Sequence, residues 1–181
     1  KAASGFPSGP RPGKELAEEA VRMALAAAGL ARAEQVVLLL SREFSRQPGE
    51  AVLAAARTAG CLQVAGCTAS GLLTEAGWLL DQPSAAALVV GELPAGAAAA
   101  PRLSFSGHAT LPFDWLDGPP RAGLLEADAA TWTQARVTGH VCADMALPGL
   151  ACQTLLATGL RRLDRPLTVD SCAGYELRRV A

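Results

Sequence analysis

The chain has 181 residues, half of them hydrophobic, with few aromatics and a formal net charge of −1. That length suits about one domain. The near-zero charge excludes a strongly basic nucleic-acid surface or an anionic-membrane footprint, and no apolar run reaches the ~18 residues of a membrane span.

Residues 1–13 contain three prolines and three glycines and predict a loose, flexible N-terminal arm ahead of a single domain over 14–181. The start has no hydrophobic segment, so it does not read as a signal peptide. It begins without Met, as a processed or trimmed chain would. "KELAEEAVRMALAAAG" then places Leu16, Ala20, Met23, Ala24 and Ala27 on one helical face, with Gly29 as a stop. "QVVLLL" (35–40) is a continuous apolar run, the mark of a strand buried on both faces. "SREFSRQ" is polar and loop-like. "PGEAVLAAARTAG" predicts a second helix, opened by Pro48 and closed by Gly60, and "LQVAGC" a second strand.

Strand, helix and strand within about thirty residues make a βαβ unit with parallel strands. "AAALVVGEL" (85–93) reads as a third strand and "PAGAAAAP" (94–101) as a low-complexity loop. The alternation in "RLSFSGHATL" predicts an edge strand. "AGLLEA" and "ARVTGHV" are further strand candidates, "DAATWTQA" a short helix or loop. The C-terminal end reads as short strands with a hairpin turn at Ala173-Gly174. The fold class expected is therefore α/β: a parallel βαβ start continuing into a mixed, largely β second half, with helices packed on the sheet.

Both parallel strands end at one edge of the sheet, where open α/β sheets bind ligands. The turn at Ser41-Arg42 and the turn over Cys67-Thr68-Ala69-Ser70-Gly71 are expected to share that crevice. Gly66 and Gly71 permit positive φ or close approach of a ligand. Backbone N–H groups and the hydroxyls of Thr68 and Ser70 suit a carboxylate or carbonyl. Cys67 offers a competing reading, a thiol nucleophile of a hydrolase or transferase. Its turn does not lead into a helix of useful length, "GCTASG" is not G-x-S-x-G, and His108 and His140 sit in no nucleophile signature.

The five cysteines are odd in number, irregularly spaced and without a CxxC pair, which argues for reduced, buried thiols and a cytoplasmic location. No metal site is expected. His108 and His140 have a sharper alternative as haem or metal ligands, without a C-x-x-C-H to support it. Asp114, Asp117, Glu126 and Asp128 read as solvated loop charge. The cluster Arg161-Arg162-Leu163-Asp164-Arg165 reads as a solvated turn, or secondly as an arginine holding a carboxylate.

"VVLLLSREF", "VAGCTASGLLTEAGWLLDQPSAAALVVGEL" and "LLATGLRRLDRPLTVDSCAGYELRRV" together resemble the N-terminal module of FIST-domain proteins. Residues 35–93 and 155–181 carry the resemblance, and the Gly66–Gly71 stretch is its most specific part. Arg162 stands where that family often has Pro, and the family's C-terminal partner module has no counterpart in this sequence. What the resemblance implies is an intracellular sensory module of bacterial signal transduction. Its ligand would be an amino acid or small carboxylate, and its partner an output protein such as a kinase, cyclase or receptor. Some relatives bind haem, and others serve as protein-interaction adaptors. The implied ligand-binding residues are Gly66, Cys67, Thr68 and Gly71, with Thr158, Gly159 and Arg161 on a second loop. No catalytic residue is implied.

Overall fold

The computed structural model describes residues 1–92, 100–108, 111–115, 117–139, 141–148, 168–173 and 176–180. Its elements in order are β1 (Ala2–Gly5), α1 (Gly13–Ala28), β2 (Gln35–Ser41), α2 (Gly49–Ala59) and β3 (Val64–Ala69). Then come β4 (Gly71–Thr74), β5 (Gly77–Leu80), β6 (Ala85–Val90), β7 (Arg102–Ser106), β8 (Arg121–Leu125) and β9 (Thr131–Thr133). The last are β10 (Arg136–Gly139), β11 (Cys142–Ala146), β12 (Val169–Ala173) and β13 (Glu176–Val180).

A six-stranded sheet runs in the order β1-β6-β2-β3-β9-β10. Its centre is the expected unit: β2 and β3 pair in parallel, from Val36 opposite Val64 to Ser41 opposite Ala69, with α2 between them in sequence. The other pairings in this sheet are antiparallel. A second sheet, β11-β7-β8, adds one antiparallel and one parallel pairing. The fold is thus mixed α/β with a strand-rich second half.

Side chains alternate across a strand, so β2 and β3 each feed two cores. Val36, Leu38, Leu40 and Val64 join the buried stripes of α1 and α2. Val37, Ala65 and Cys67 meet Phe105, Met145 and Leu147 of the second sheet and the residue after it. The stripe of α1 is Leu16, Ala17, Ala20, Val21, Ala24 and Leu25. Met23 and Ala27, expected on that face, are exposed. The helices end at Gly29 and Gly60, both in the left-handed conformation that glycine adopts without strain.

Three expectations are corrected. The N-terminal segment is not a loose arm throughout, because Ala2–Gly5 pairs with β6 as the outer strand of the main sheet. Small residues suit that position, since a Cβ on Gly5 would strike the Ala20 carbonyl of α1. β7 is not an edge strand but the middle of its sheet. "DAATWTQA" holds β9, whose Trp132 pairs opposite Gly66 and is fully buried. The third strand ends at Val90, and most of 94–101 lies outside the described residues, as does part of the turn between β12 and β13.

Candidate functional site

The carboxyl ends of β2 and β3 are adjacent, as the parallel pairing requires, yet they do not form an open crevice. Leu40 is in register with Thr68 and Ser41 with Ala69. In a parallel pair, residues in register share a face, so Ser41 and Thr68 point to opposite sides of the sheet. The Ser41 hydroxyl accepts the Ser84 backbone N–H at 2.9 Å. The Thr68 hydroxyl accepts the Ala130 N–H at 2.9 Å, while the Thr68 N–H donates to the Ala130 carbonyl at 2.9 Å. Both serine and threonine are buried, and both hydroxyls fasten neighbouring chain. Arg42 is exposed and opens a short 3-10 turn.

The expected turn over residues 67–71 is mostly strand, since β3 continues through Ala69. Gly66 lies inside it because a Cβ there would run into the Leu38 carbonyl and approach Trp132 Nε1 to 3.0 Å. Gly71 begins β4, and a Cβ there would strike the Leu80 side chain across the hairpin. These two glycines make room for protein. Ser70 does bind a carboxylate, but one from the chain itself. Its N–H donates to Glu126 Oε1 and Oε2 at 2.9 and 3.1 Å, and its hydroxyl donates to Oε1 as well. Glu126, expected as a solvated charge, caps the end of β3. Thr158, Gly159, Arg161 and the cluster around them lie outside the described residues.

Cys67 is 1% exposed and packs between the two sheets. Burial, aided by the charge of Glu126, pushes its thiol up to about 12. A thiol so held is neutral at physiological pH and is a poor nucleophile. Cys61 and Cys142 are also free, and burial raises both thiols.

The opposite, amino end of the same strand pair is open. A cleft of about 510 Å³ lies there, lined by Glu34, Gln35 and Gln63 from the starts of β2 and β3. Thr133 at the end of β9 and Gln134 after it, Arg102 of β7, Asp144 to Ala146 of β11 and Pro148 beyond that strand complete its wall. Gln35 is only 7% exposed. Its Nε2 donates to the Ala146 carbonyl at 2.8 Å, and its Oε1 has no hydrogen-bond partner. Thr133 Oγ1 donates to the Asp144 carbonyl at 3.0 Å, tying β9 to β11.

Asp144 anchors a charged row on the outer face of the second sheet. Arg102 and Arg121 are in register on β7 and β8 and donate to Asp144 Oδ2 at 2.7 and 2.8 Å. Ser104 donates to Oδ1 at 2.9 Å. Burial works to raise the Asp144 carboxyl, but the hydrogen bonds of Arg121, Arg102 and Ser104 and the charge of Arg121 outweigh it and hold the group low. The Arg121 guanidinium also lies 5.1 Å from the Trp115 ring centre, where cation–π attraction adds to its anchoring. A smaller cavity of about 190 Å³ adjoins Trp115, Arg121 and Leu124.

Sequence reading did not single out Gln35, Arg102 or Asp144. The signal for Gln35 was a lone polar residue at the head of an otherwise apolar strand. For the other two it was the alternation of "RLSFS" and "CADMA", which puts Arg102, Ser104 and Asp144 on one face.

His108 is exposed on the bend after β7. His140 is outside the described residues. Among the described residues no three His, Cys, Asp or Glu side chains gather as a metal site, and no helix is long and apolar enough to cross a membrane. No protein-family model, curated protein or solved structure matches the chain. The likeness to FIST modules is therefore carried by the quoted residues alone.

Proposed function

We propose that the protein is a non-catalytic, small-ligand-binding module of an intracellular signal-transduction system. Its ligand in this reading is an amino acid or small carboxylate, and its partner an output protein. The observation that carries the reading is the polar cleft at the amino ends of β2 and β3, lined by Glu34, Gln35, Gln63, Arg102 and Asp144. Ligand sites are concave and carry a few fixed polar groups, and this cleft meets that description better than the closed strand ends around Thr68. The neutral, buried state of Cys67 speaks against the hydrolase or transferase alternative. The FIST resemblance supplies the sensory context.

The test is a thermal-shift screen of amino acids and small carboxylates on the wild-type protein, with alkylation of each cysteine followed in parallel. The expected result is a ligand that raises the melting temperature and a Cys67 that alkylates slowly. A substrate whose turnover disappears in Cys67→Ser overturns the reading in favour of an enzyme.

A protein-interaction adaptor is the second reading, favoured by one observation. On the β4–β5 hairpin, Leu73 is opposite Trp78 and Gly71 opposite Leu80, so one face presents three large apolar side chains. Leu73, Trp78 and Leu80 are 73%, 67% and 53% exposed. Sedimentation of wild type and Trp78→Ser with a candidate output protein separates this reading from the first.

A further inference from the structure

The outer face of the β4–β5 hairpin narrows the kind of partner the chain can meet. We propose that this face docks a short segment of another protein whose leucine-like side chains are flanked by lysine or arginine. The proposal goes beyond the small-ligand reading. It rests on the adaptor reading above and adds to it the chemistry of the partner.

Three observations carry it. The first is the face itself. β4 and β5 pair only with each other among the described strands. A hairpin laid on a core is ordinarily apolar on one face and polar on the other. Here Leu72 turns inward and is 2% exposed, while Leu73, Trp78 and Leu80 share the outer face and stay largely exposed. Leu80 leans across the hairpin, since a Cβ on Gly71 opposite it would strike its side chain, and the stripe is continuous over both strands.

The second observation is charge. Residues 70–82 hold two carboxylates and no lysine or arginine. Glu75 is in the turn at one end of the stripe and Asp81 follows Leu80 at the other, both exposed. The Ser4 hydroxyl donates to Glu75 at 2.6 Å and fixes it there. Glu126 adds a third carboxylate at the hairpin root, on the Ser70 N–H. An apolar centre with an acidic rim is complemented by an apolar segment with basic flanks.

The third observation is area. The three outer side chains offer roughly 400 Å² of apolar surface, about half of the ~800 Å² per partner in a standard stable interface. That suits a short segment better than a second copy of the chain. Two copies turned face to face about a two-fold axis would also set carboxylate against carboxylate, whichever ends met. An anionic bilayer meets the same repulsion.

Three fluorescein-labelled peptides test the proposal by anisotropy titration into the wild-type protein. One alternates pairs of leucine with pairs of arginine, one has glutamate for arginine, and one has serine for leucine. The leucine–arginine peptide should bind about tenfold or more tightly than either of the others. Its advantage over the glutamate peptide should shrink as salt rises. In ¹⁵N-labelled protein it should shift the Trp78 indole N–H and the Leu73 amide. Trp78→Ser removes an exposed side chain and should weaken binding about tenfold or more. Asp81→Asn suits the backbone there, at φ 54°, because asparagine tolerates the left-handed region. It should weaken binding severalfold at low salt and leave it unchanged at high salt.

Equal binding of the arginine and glutamate peptides, or wild-type affinity in Asp81→Asn at low salt, overturns the proposed chemistry and leaves the adaptor reading standing. Wild-type affinity in Trp78→Ser counts against both. No binding by any of the three peptides overturns the proposal outright. Concentration-dependent dimerisation that Trp78→Ser abolishes assigns the face to a second copy. Flotation with phosphatidylcholine vesicles that the same variant abolishes assigns it to a lipid surface. Either result overturns the proposal.

Discussion

The two ends of the β2–β3 pair are built from the same kinds of residue and have opposite characters. At the carboxyl end, the hydroxyls of Ser41, Thr68 and Ser70 are all engaged, by Ser84, Ala130 and Glu126. At the amino end, Gln35 holds Ala146 through Nε2, and Glu34, Gln35, Gln63 and Arg102 line an open cleft. The difference teaches that polar residue types do not mark a site. What marks it is an open cavity lined by polar side chains. Closed networks such as the Thr68–Ala130 pair fasten the sheet, and open ones are available for recognition.

The comparison breaks most easily at Gly66. If the carboxyl end is packed structure, a single added carbon must be severely destabilising. Gly66→Ala places a Cβ against the Leu38 carbonyl and close to Trp132, in the interior of the main sheet. The expected loss is about 3 kcal/mol or more, at the upper end of overpacking effects, read from urea unfolding. Near-wild-type stability would mean that β3 can shift and that this end is open to a ligand after all.

Thr68→Val comes next. It keeps the shape and strands the buried Ala130 N–H, for an expected loss of about 1–3 kcal/mol. Ligand affinity in the cleft should be unchanged. A variant with wild-type stability and weakened binding would reverse the roles assigned to the two ends.

Asp144→Asn tests the amino end through its charged row. Two guanidinium groups in register would lose their shared carboxylate. Half-exposed Arg102 is partly screened by solvent, so the expected loss is about 1–2 kcal/mol near neutral pH. The sign with pH follows from a carboxyl held below its ordinary value. Its stabilisation is fully present above the ordinary carboxylate range, near 4, and fades as pH falls through the lower folded-state value. Wild type and Asp144→Asn should therefore converge in strong acid. A constant gap across that range would show that the row contributes through packing alone.

How much of this was legible follows from the range over which each feature is determined. The helices, β2, β3 and their parallel pairing were readable because periodicity and the Gly29 and Gly60 stops are local. β1 and β9 were not: "AASG" and "TWT" are too short to carry a pattern, and both become strands only by pairing with strands remote in sequence. The closure of the carboxyl end was illegible for the same reason, since Thr68 meets a partner 62 residues away and Ser41 one 43 residues away. That Ser41 and Thr68 face opposite ways was within reach, because it needs only the register of two parallel strands. The affinity of Ser70 for a carboxylate was anticipated from its backbone N–H and hydroxyl, and the structure supplies that carboxylate from Glu126.

The smallest expected effect belongs to that last contact. Glu126→Gln keeps one carbonyl acceptor for the Ser70 N–H, loses the second oxygen and removes a charge close to Cys67. Because the contact is partly exposed, the stability loss should be under about 1 kcal/mol. The thiol reports on it more sharply. Burial is the larger cause of the raised Cys67 value and the Glu126 charge the smaller. The variant should lower that value without bringing it to an ordinary thiol's, so alkylation of Cys67 at neutral pH stays slow. The linkage runs the other way from that of Asp144. A thiol raised in the folded state keeps its full contribution below the ordinary thiol range, near 8.5. Stability then falls as pH rises from there towards about 12. Wild type should show this alkaline decline, Glu126→Gln a slightly shallower one, and Cys67→Ala none from this source. If Glu126→Gln instead makes Cys67 react rapidly at neutral pH, the carboxyl end is closed by one side chain and not by its packing. The distinction between the two ends would then reduce to a single displaceable carboxylate.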